Sequence, residues 1–559
     1  MRKLSLTFFI LIWVWGTVFA QYPAKYWIQF KDKDNSSYSV NKPEEFLSPR
    51  AIEKRARFNI PITEEDLPVN SHYIAEVLKI DSEIVLFTKS KWHNAITIYA
   101  QDSFIMDKIM KLPFVKTCER TISMEEPELF QDINFSYQSR GEVIRSNSWK
   151  SDFKYGKSEE QIRLNNIHWL HRMGYLGDNM VMMVMDAGFH NSDTLRYFNL
   201  LREENRLLGV RNFVELGVNP FRKTSHGTMV LSCIASYIPG ELVGSAPKIS
   251  VYLAKTEDDR SENKVEEDNW VAGVEWADSL GVDLLNSSLG YTKFDDSTHK
   301  RIYQDLTGQV SRASQAATIA ARKGLLICNS AGNEGSKKWH YIGCPADAEG
   351  ILSVGATDVY GNRAPFSSYG PTADGRIKPD VLATGYNTYV ANPRSKTIQS
   401  NGTSFSSPVL AGMAACLWQA FPEKSNMEIM NAIRQSGDNA TTPNDTMGYG
   451  IADFLKAYNI LKYNNLNYHN PDNSIIIQLS NYDFKGKMIS FTVISKSEQI
   501  ISTDLYFKNS GKTISKTYKL ITGENQIKIK IPKIKTDYDF IQMNIRIENS
   551  EINYLLGIE

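Results

Sequence analysis

Apolar and polar positions divide the chain into stretches of different rhythm. Arg2 and Lys3 lead into an apolar run from Leu4 to Ala20, with Val18-Phe19-Ala20 as a small-residue exit before Gln21. A charged start, a short apolar stretch and such an exit predict a secretory signal peptide over residues 1–20. The run barely reaches bilayer length and no later segment approaches it. The expectation is a chain secreted to an extracellular, periplasmic or cell-surface location, with no membrane span after signal removal. Residues 21–120 alternate strand-like and helix-like pieces: Tyr26–Phe30, a helix over Ser48–Phe58, then strands near Glu83–Phe87 and Ala95–Tyr99. A helix near Ser103–Leu112 and a strand near Phe114–Cys118 complete a small α+β unit. The polar residues 121–154, poor in apolar anchors, read as a linker.

From 155 to 464 the rhythm changes to near-continuous apolar runs separated by helical segments. The runs include Met180–Met185, Ile249–Ala254, Val282–Leu285, Leu325–Cys328 and Ile351–Gly355. Unbroken apolar strands of this kind predict a parallel α/β sheet covered on both faces. Over 465–559 short strands recur with turn signals such as Asn509-Ser510-Gly511, and Gln526–Ile531 alternates strictly. That pattern predicts an all-β sandwich.

Length and composition change the picture little. The 559 residues suffice for several domains, and 42% apolar with 23% charged residues is ordinary for a globular protein. The 63 basic residues balance 63 acidic ones, which argues against a nucleic-acid partner, because that role needs excess cations. Five scattered Cys with no CxxC pair make neither a disulfide scaffold nor a zinc site. Cys233, Cys328, Cys344 and Cys416 fall in apolar segments and are expected as buried thiols, with a Cys328–Cys344 bridge left open.

Three motifs carry candidate chemistry. The run Val181–Met185 ends in Asp186-Ala187-Gly188, and ligands gather at the carboxyl ends of parallel strands. Ser225-His226-Gly227-Thr228 opens an apolar helix. Asn401-Gly402-Thr403-Ser404-Phe405-Ser406-Ser407-Pro408 places a hydroxyl at a helix start, where free backbone N–H groups favour developing negative charge. Each alone reads as a capping or turn residue. Asp, His and Ser in this chain order and these contexts resemble the subtilisin-like serine peptidases, over roughly Tyr155 to Leu461.

The resemblance implies a subtilisin-like parallel-sheet catalytic domain that hydrolyses peptide bonds, with Asp186, His226 and Ser404 as its triad. It implies Asn333, in Ser330-Ala331-Gly332-Asn333, as the side-chain oxyanion donor. It implies Ser288, Leu289 and Gly290, with Ala331 and Gly332, as the substrate-binding walls, and protein or peptide substrates as partners. It also casts the α+β unit as a propeptide that inhibits the peptidase intramolecularly, which makes the chain a zymogen. No cofactor is required. The resemblance allows a structural calcium, but Glu257-Asp258-Asp259 and Glu266-Glu267-Asp268 lack a ligand rhythm and read as solvated acidic loop, so metal ligands are none. The alternatives are an exopeptidase or peptide-processing enzyme, and a catalytically silent binding protein on the same fold. The latter is disfavoured by the complete set of four residues.

Overall fold

The computed structural model describes residues 23–101, 103–123, 154–463, 467–469, 475–478, 488–495, 498–531, 539–547 and 550–558. The expected signal segment and most of the expected linker lie outside the described residues. No helix among the described residues is long and apolar enough to cross a membrane.

The amino-terminal unit is an antiparallel sheet of β1 (Ala24–Phe30), β2 (Val85–Ser90), β3 (Ala95–Ala100) and β4 (Val115–Ser123), in the order β2-β3-β1-β4. β4 runs to Ser123, so the first residues assigned to the linker pair with β1 instead, Ser123 opposite Ala24. Between β1 and β2 the chain forms an arm with α1 (Pro49–Arg57) and then α2 (Ser71–Leu78), and α3 (Phe104–Ile109) follows β3. The arm starts cleanly because Ser48 caps α1 by accepting from the Ala51 N–H, with Pro49 at the first helical position.

The middle of the chain builds a seven-stranded sheet from β5 (Val181–Asp186), β6 (Leu207–Asn212), β7 (Ser250–Lys255), β8 (Leu284–Ser287), β9 (Leu326–Ser330), β10 (Leu352–Thr357) and β11 (Val381–Thr384). The order is β11-β10-β9-β8-β5-β7-β6, and all neighbours are parallel. Every residue of β5, β8, β9, β10 and β11 is buried, as expected of a sheet covered on both faces. One face carries α4 (His226–Ala235) and α7 (Thr403–Ala420); the other carries α5 (Val265–Leu280) and α6 (Arg312–Arg322). α7 is buried on all sides through Trp418, so its sequence reads apolar or small all round.

The acidic stretch expected as a solvated loop is half of it helix. Glu266, Glu267 and Asp268 form the first turn of α5 and are at most 1% exposed. A helix start favours carboxylates, and cations complete the burial: Arg301 pairs with Glu267, and Arg312 reaches Asp268 at 2.6 Å. All five cysteines are free, and all but Cys118 are buried.

The carboxy-terminal residues form two four-stranded antiparallel sheets around Phe491, Leu505, Phe507, Ile527, Met543 and their neighbours. The last strand, Ser550–Ile558, is held to α8 (Phe454–Tyr463) by a two-way amide pair. Asn459 Nδ2 donates to the Leu555 carbonyl at 2.8 Å, and the Leu555 N–H donates to Asn459 Oδ1 at 2.9 Å.

Candidate active site

The winding of the chain reverses at β5: it leaves β5 for the edge strand β6, returns inward through β7, and then crosses to β8–β11 on the other side. A crevice opens at the carboxyl ends of the strands flanking such a switch point. Asp186 is the last residue of β5, Ser288 directly follows β8 and Ala331 directly follows β9. His226 is the first residue of α4, and Ser404 the second of α7. A groove of about 800 Å³ is lined by Ala187, His226, Met229, Glu257, Ser288 and Ser404, among others.

Asp186 is fully buried, and its Oδ1 lies 2.8 Å from His226 Nδ1 while accepting the Ala187 N–H, also at 2.8 Å. This proximity requires Gly227. A Cβ there would stand 2.8 Å from the Asp186 Cβ and 2.6 Å from the Gly188 carbonyl. Burial pulls the His226 pKa down, but the charge and hydrogen bond of Asp186 outweigh it and leave the imidazole above its ordinary value. The Phe405 ring lies 5.8 Å from the imidazole and limits its movement.

Ser404 shares the groove with His226, but its Oγ donates to the Ser288 carbonyl, at 3.4 Å. The structure therefore joins Asp186 to His226 directly and leaves the Ser404 hydroxyl turned to the neighbouring wall. Catalytic hydrogen bonds commonly tighten only with substrate bound. Gly402 sets up the turn, with φ +148°, a region open to glycine.

Asn333 is exposed, and Thr403 fixes its amide: the Thr403 N–H and Oγ1 both donate to Asn333 Oδ1, at 2.9 and 3.0 Å. The amide nitrogen is thereby left to donate elsewhere. Thr403 Oγ1 also accepts the Gly332 N–H at 3.1 Å. The sequence reading missed this role, although Thr403 stood within the quoted motif.

The expected substrate walls divide in two. Gly290 is exposed, and its backbone pairs with no described group. Ser288 is an anchor, its Oγ donating to the Ser404 carbonyl at 2.8 Å. The Leu289 side chain is buried. The Ala331 carbonyl accepts from Gly343, and the Gly332 carbonyl from Ser368, so both shape the wall with their hydrogen bonds already used.

Glu257, Glu262 and Glu266 bring carboxylate oxygens within 4.8 Å of one another beside the groove. Burial first, then neighbouring carboxylates, push the Glu257 and Glu266 carboxyls well above the ordinary range. Tyr291 donates to Glu257, and Glu266 accepts the Asp258 and Asn263 N–H groups. Calcium takes six to eight oxygens; this set falls short, and no calcium site is assigned.

Residues 177–450 match the model of the subtilase family, and residues 25–133 that of the peptidase S8 propeptide domain of Bacteroidota. Subtilisin DY of Bacillus licheniformis is 29% identical over 279 residues, which cover 50% of this chain and 89% of that protein. Subtilisin E of Bacillus subtilis is 29% identical over 285 residues, 50% of this chain and 65% of that one, just under two thirds of its length. The fold also matches the crystal structure of the epidermin leader peptide processing serine protease from Staphylococcus aureus. That match has a TM-score of 0.50 at 15% identity and covers 79% of this chain and 99% of the other.

Proposed function

We propose that this chain, a member of the subtilase family of serine peptidases with that family's propeptide domain, is a secreted endopeptidase made as a zymogen. The observation that carries the reading is the pair of buried Asp186 with half-buried His226, at 2.8 Å, in one groove with Ser404. Ser404 Oγ is a weak nucleophile until His226 Nε2 takes its proton. The alkoxide attacks the peptide carbonyl, and the oxyanion is received by Asn333 Nδ2 and the Ser404 N–H at the start of α7. His226 then gives its proton to the departing amine, leaving an acyl-enzyme that water hydrolyses by the same steps reversed. Asp186 holds the imidazole in the tautomer with Nδ1–H and stabilises the imidazolium. Extended substrate pairs with the free backbone of Gly290. The signal segment 1–20 directs secretion, and the amino-terminal unit, expected over 21–120 and carried by β4 to Ser123, is the propeptide and intramolecular inhibitor. The domains that follow are the linker, the peptidase over 155–464 and the β-sandwich over 465–559.

The test is hydrolysis of an unstructured protein substrate by the processed enzyme and by Ser404→Ala. Loss of about a million-fold in turnover, the magnitude known for subtilisin itself, is expected with the fold unchanged. Retained activity in a folded Ser404→Ala protein would sink the assignment.

A further inference from the structure

The amino-terminal unit touches the peptidase through its sheet and through its arm. Its sheet lies along α5: the Ser90 hydroxyl and the Lys91 and Trp92 N–H groups donate to Glu275, and Thr97 Oγ1 donates to Asp268. The arm between β1 and β2 meets the sheet's contact at Asp278, near the end of α5, and extends it to the segments that lead into β8 and β9. Arg55 Nη2 reaches Asp66 of the arm at 3.0 Å and Asp278 of α5 at 2.7 Å. Lys91 closes on Asp278 and Lys323 on Asp66, at 2.7 and 2.8 Å. Asp66 and Asp278 are fully buried and Arg55 is 2% exposed. Lys54 Nζ donates to the Val282 carbonyl at 2.7 Å, and Arg50 Nε to the Gly281 carbonyl at 3.0 Å.

The peptidase backbone is shaped for this contact. Gly281, at φ +71°, would place a Cβ 2.5 Å from the Ala51 nitrogen, and Gly324, at φ +88°, would place one 2.8 Å from Ile60 Cδ1. Gly281–Asp283 lead into β8, and Lys323–Gly324 into β9. The arm therefore sits at the amino ends of the strands whose carboxyl ends build the groove. At roughly 3.3 Å per residue, a strand's length separates the two edges. Every described residue lining the groove belongs to the peptidase.

We propose that the arm, residues 43–70, is an anchor that holds the amino-terminal unit on the peptidase after the chain between them is cut, independently of the groove. The partner this surface fits is the cut amino-terminal unit of the same chain. Its affinity resides in the Arg55–Asp66–Asp278 network: losing Arg55 leaves the two buried carboxylates with one lysine each, Lys323 on Asp66 and Lys91 on Asp278, and removes the cation that bridges them, which costs more than a surface ion pair. This rests on the reading of that unit as a propeptide, and the test separates the two. Mapping the amino terminus of the secreted wild-type protein tests the cut; retention after an imposed cut tests the anchor.

A site for a sequence-specific protease is placed between residues 124 and 153 of a full-length Ser404→Ala chain, which is then cut and followed by size-exclusion chromatography on serial dilution. The two pieces are expected to elute together into the nanomolar range. Arg55→Met should separate them at concentrations about 100-fold higher. Gly290→Phe, which puts a ring into the groove where the nearest atom to a Cβ is 3.7 Å away, should leave retention unchanged. The uncut Arg55→Met chain serves as the folding control; should it not fold, Lys54→Met replaces it, with about tenfold weaker retention expected from one lost buried hydrogen bond. Separation of the cut parent at micromolar concentration, no loosening by the arm variant, or equal loosening by Gly290→Phe would each overturn the proposal.

Discussion

The groove and the seat of the arm lie at opposite ends of the strands of one sheet and are built by different means. The groove uses strand ends, helix starts and backbone: Gly227, Gly402 and Gly290 matter because they lack side chains, and at its centre stands the Asp186–His226 pair, with the Lys223 and Arg260 pairs exposed at its rim. The docking face uses long charged side chains that meet across the chain, Arg55 with Asp278 and Lys323 with Asp66, all buried. On the proposed reading the first arrangement positions reacting atoms and the second holds two pieces together. A change in the groove should therefore alter turnover and leave stability nearly alone, and a change under the arm should do the reverse.

Asn333→Ala breaks this comparison most sharply if it fails. The account expects turnover to fall about 100- to 1000-fold, a magnitude that subtilisin itself supplies, with the melting temperature lowered by only a few degrees for the two hydrogen bonds lost from Thr403. Steady-state kinetics and a thermal melt on one preparation decide it; a melting temperature lowered further than that, with intact turnover, would merge the two regions. A smaller effect follows from pH. His226 must be neutral to take the Ser404 proton, and its raised pKa moves the loss of kcat/KM to a pH above the ordinary imidazole value of about 6.5. Below that midpoint the rate should fall about tenfold per pH unit, and a flat profile to pH 4 would remove His226 from the mechanism.

The same contrast decides what could be read from the sequence. The groove was legible because its residues lie in short contiguous motifs: Asp186 ends an apolar run, His226 and Ser404 each open an apolar helix, and Asn333 follows a strand. The parallel sheet was legible from apolar runs, with strand ends shifted by a residue or two. The arm's docking was not, since Arg55 and Asp278 stand 223 residues apart with no local pattern to join them. Glu266–Asp268 misled because charge run together reads as solvent-facing, and only the folded chain brings Arg301 and Arg312 to it. The strand Ser550–Ile558 escaped because both its faces are covered, Leu556 by the sandwich core and Leu555 by the cluster around α8, so strict alternation is lost. Edge strand β6 escaped because it ends in polar residues, Arg211 and Asn212. Within the site, the Ser404–Ser288 contact and the Thr403–Asn333 bonds depend on side-chain rotation, which no motif encodes.

The central claim is that Ser404 is a nucleophile activated by His226 and Asp186. Labelling the processed enzyme with a serine-directed phosphonate, followed by mass-spectrometric mapping of the adduct, tests it most directly. The account predicts a single adduct on Ser404 that disappears in His226→Ala. An unmodified Ser404, an adduct on another serine, or undiminished labelling of Ser404 without His226 would contradict it.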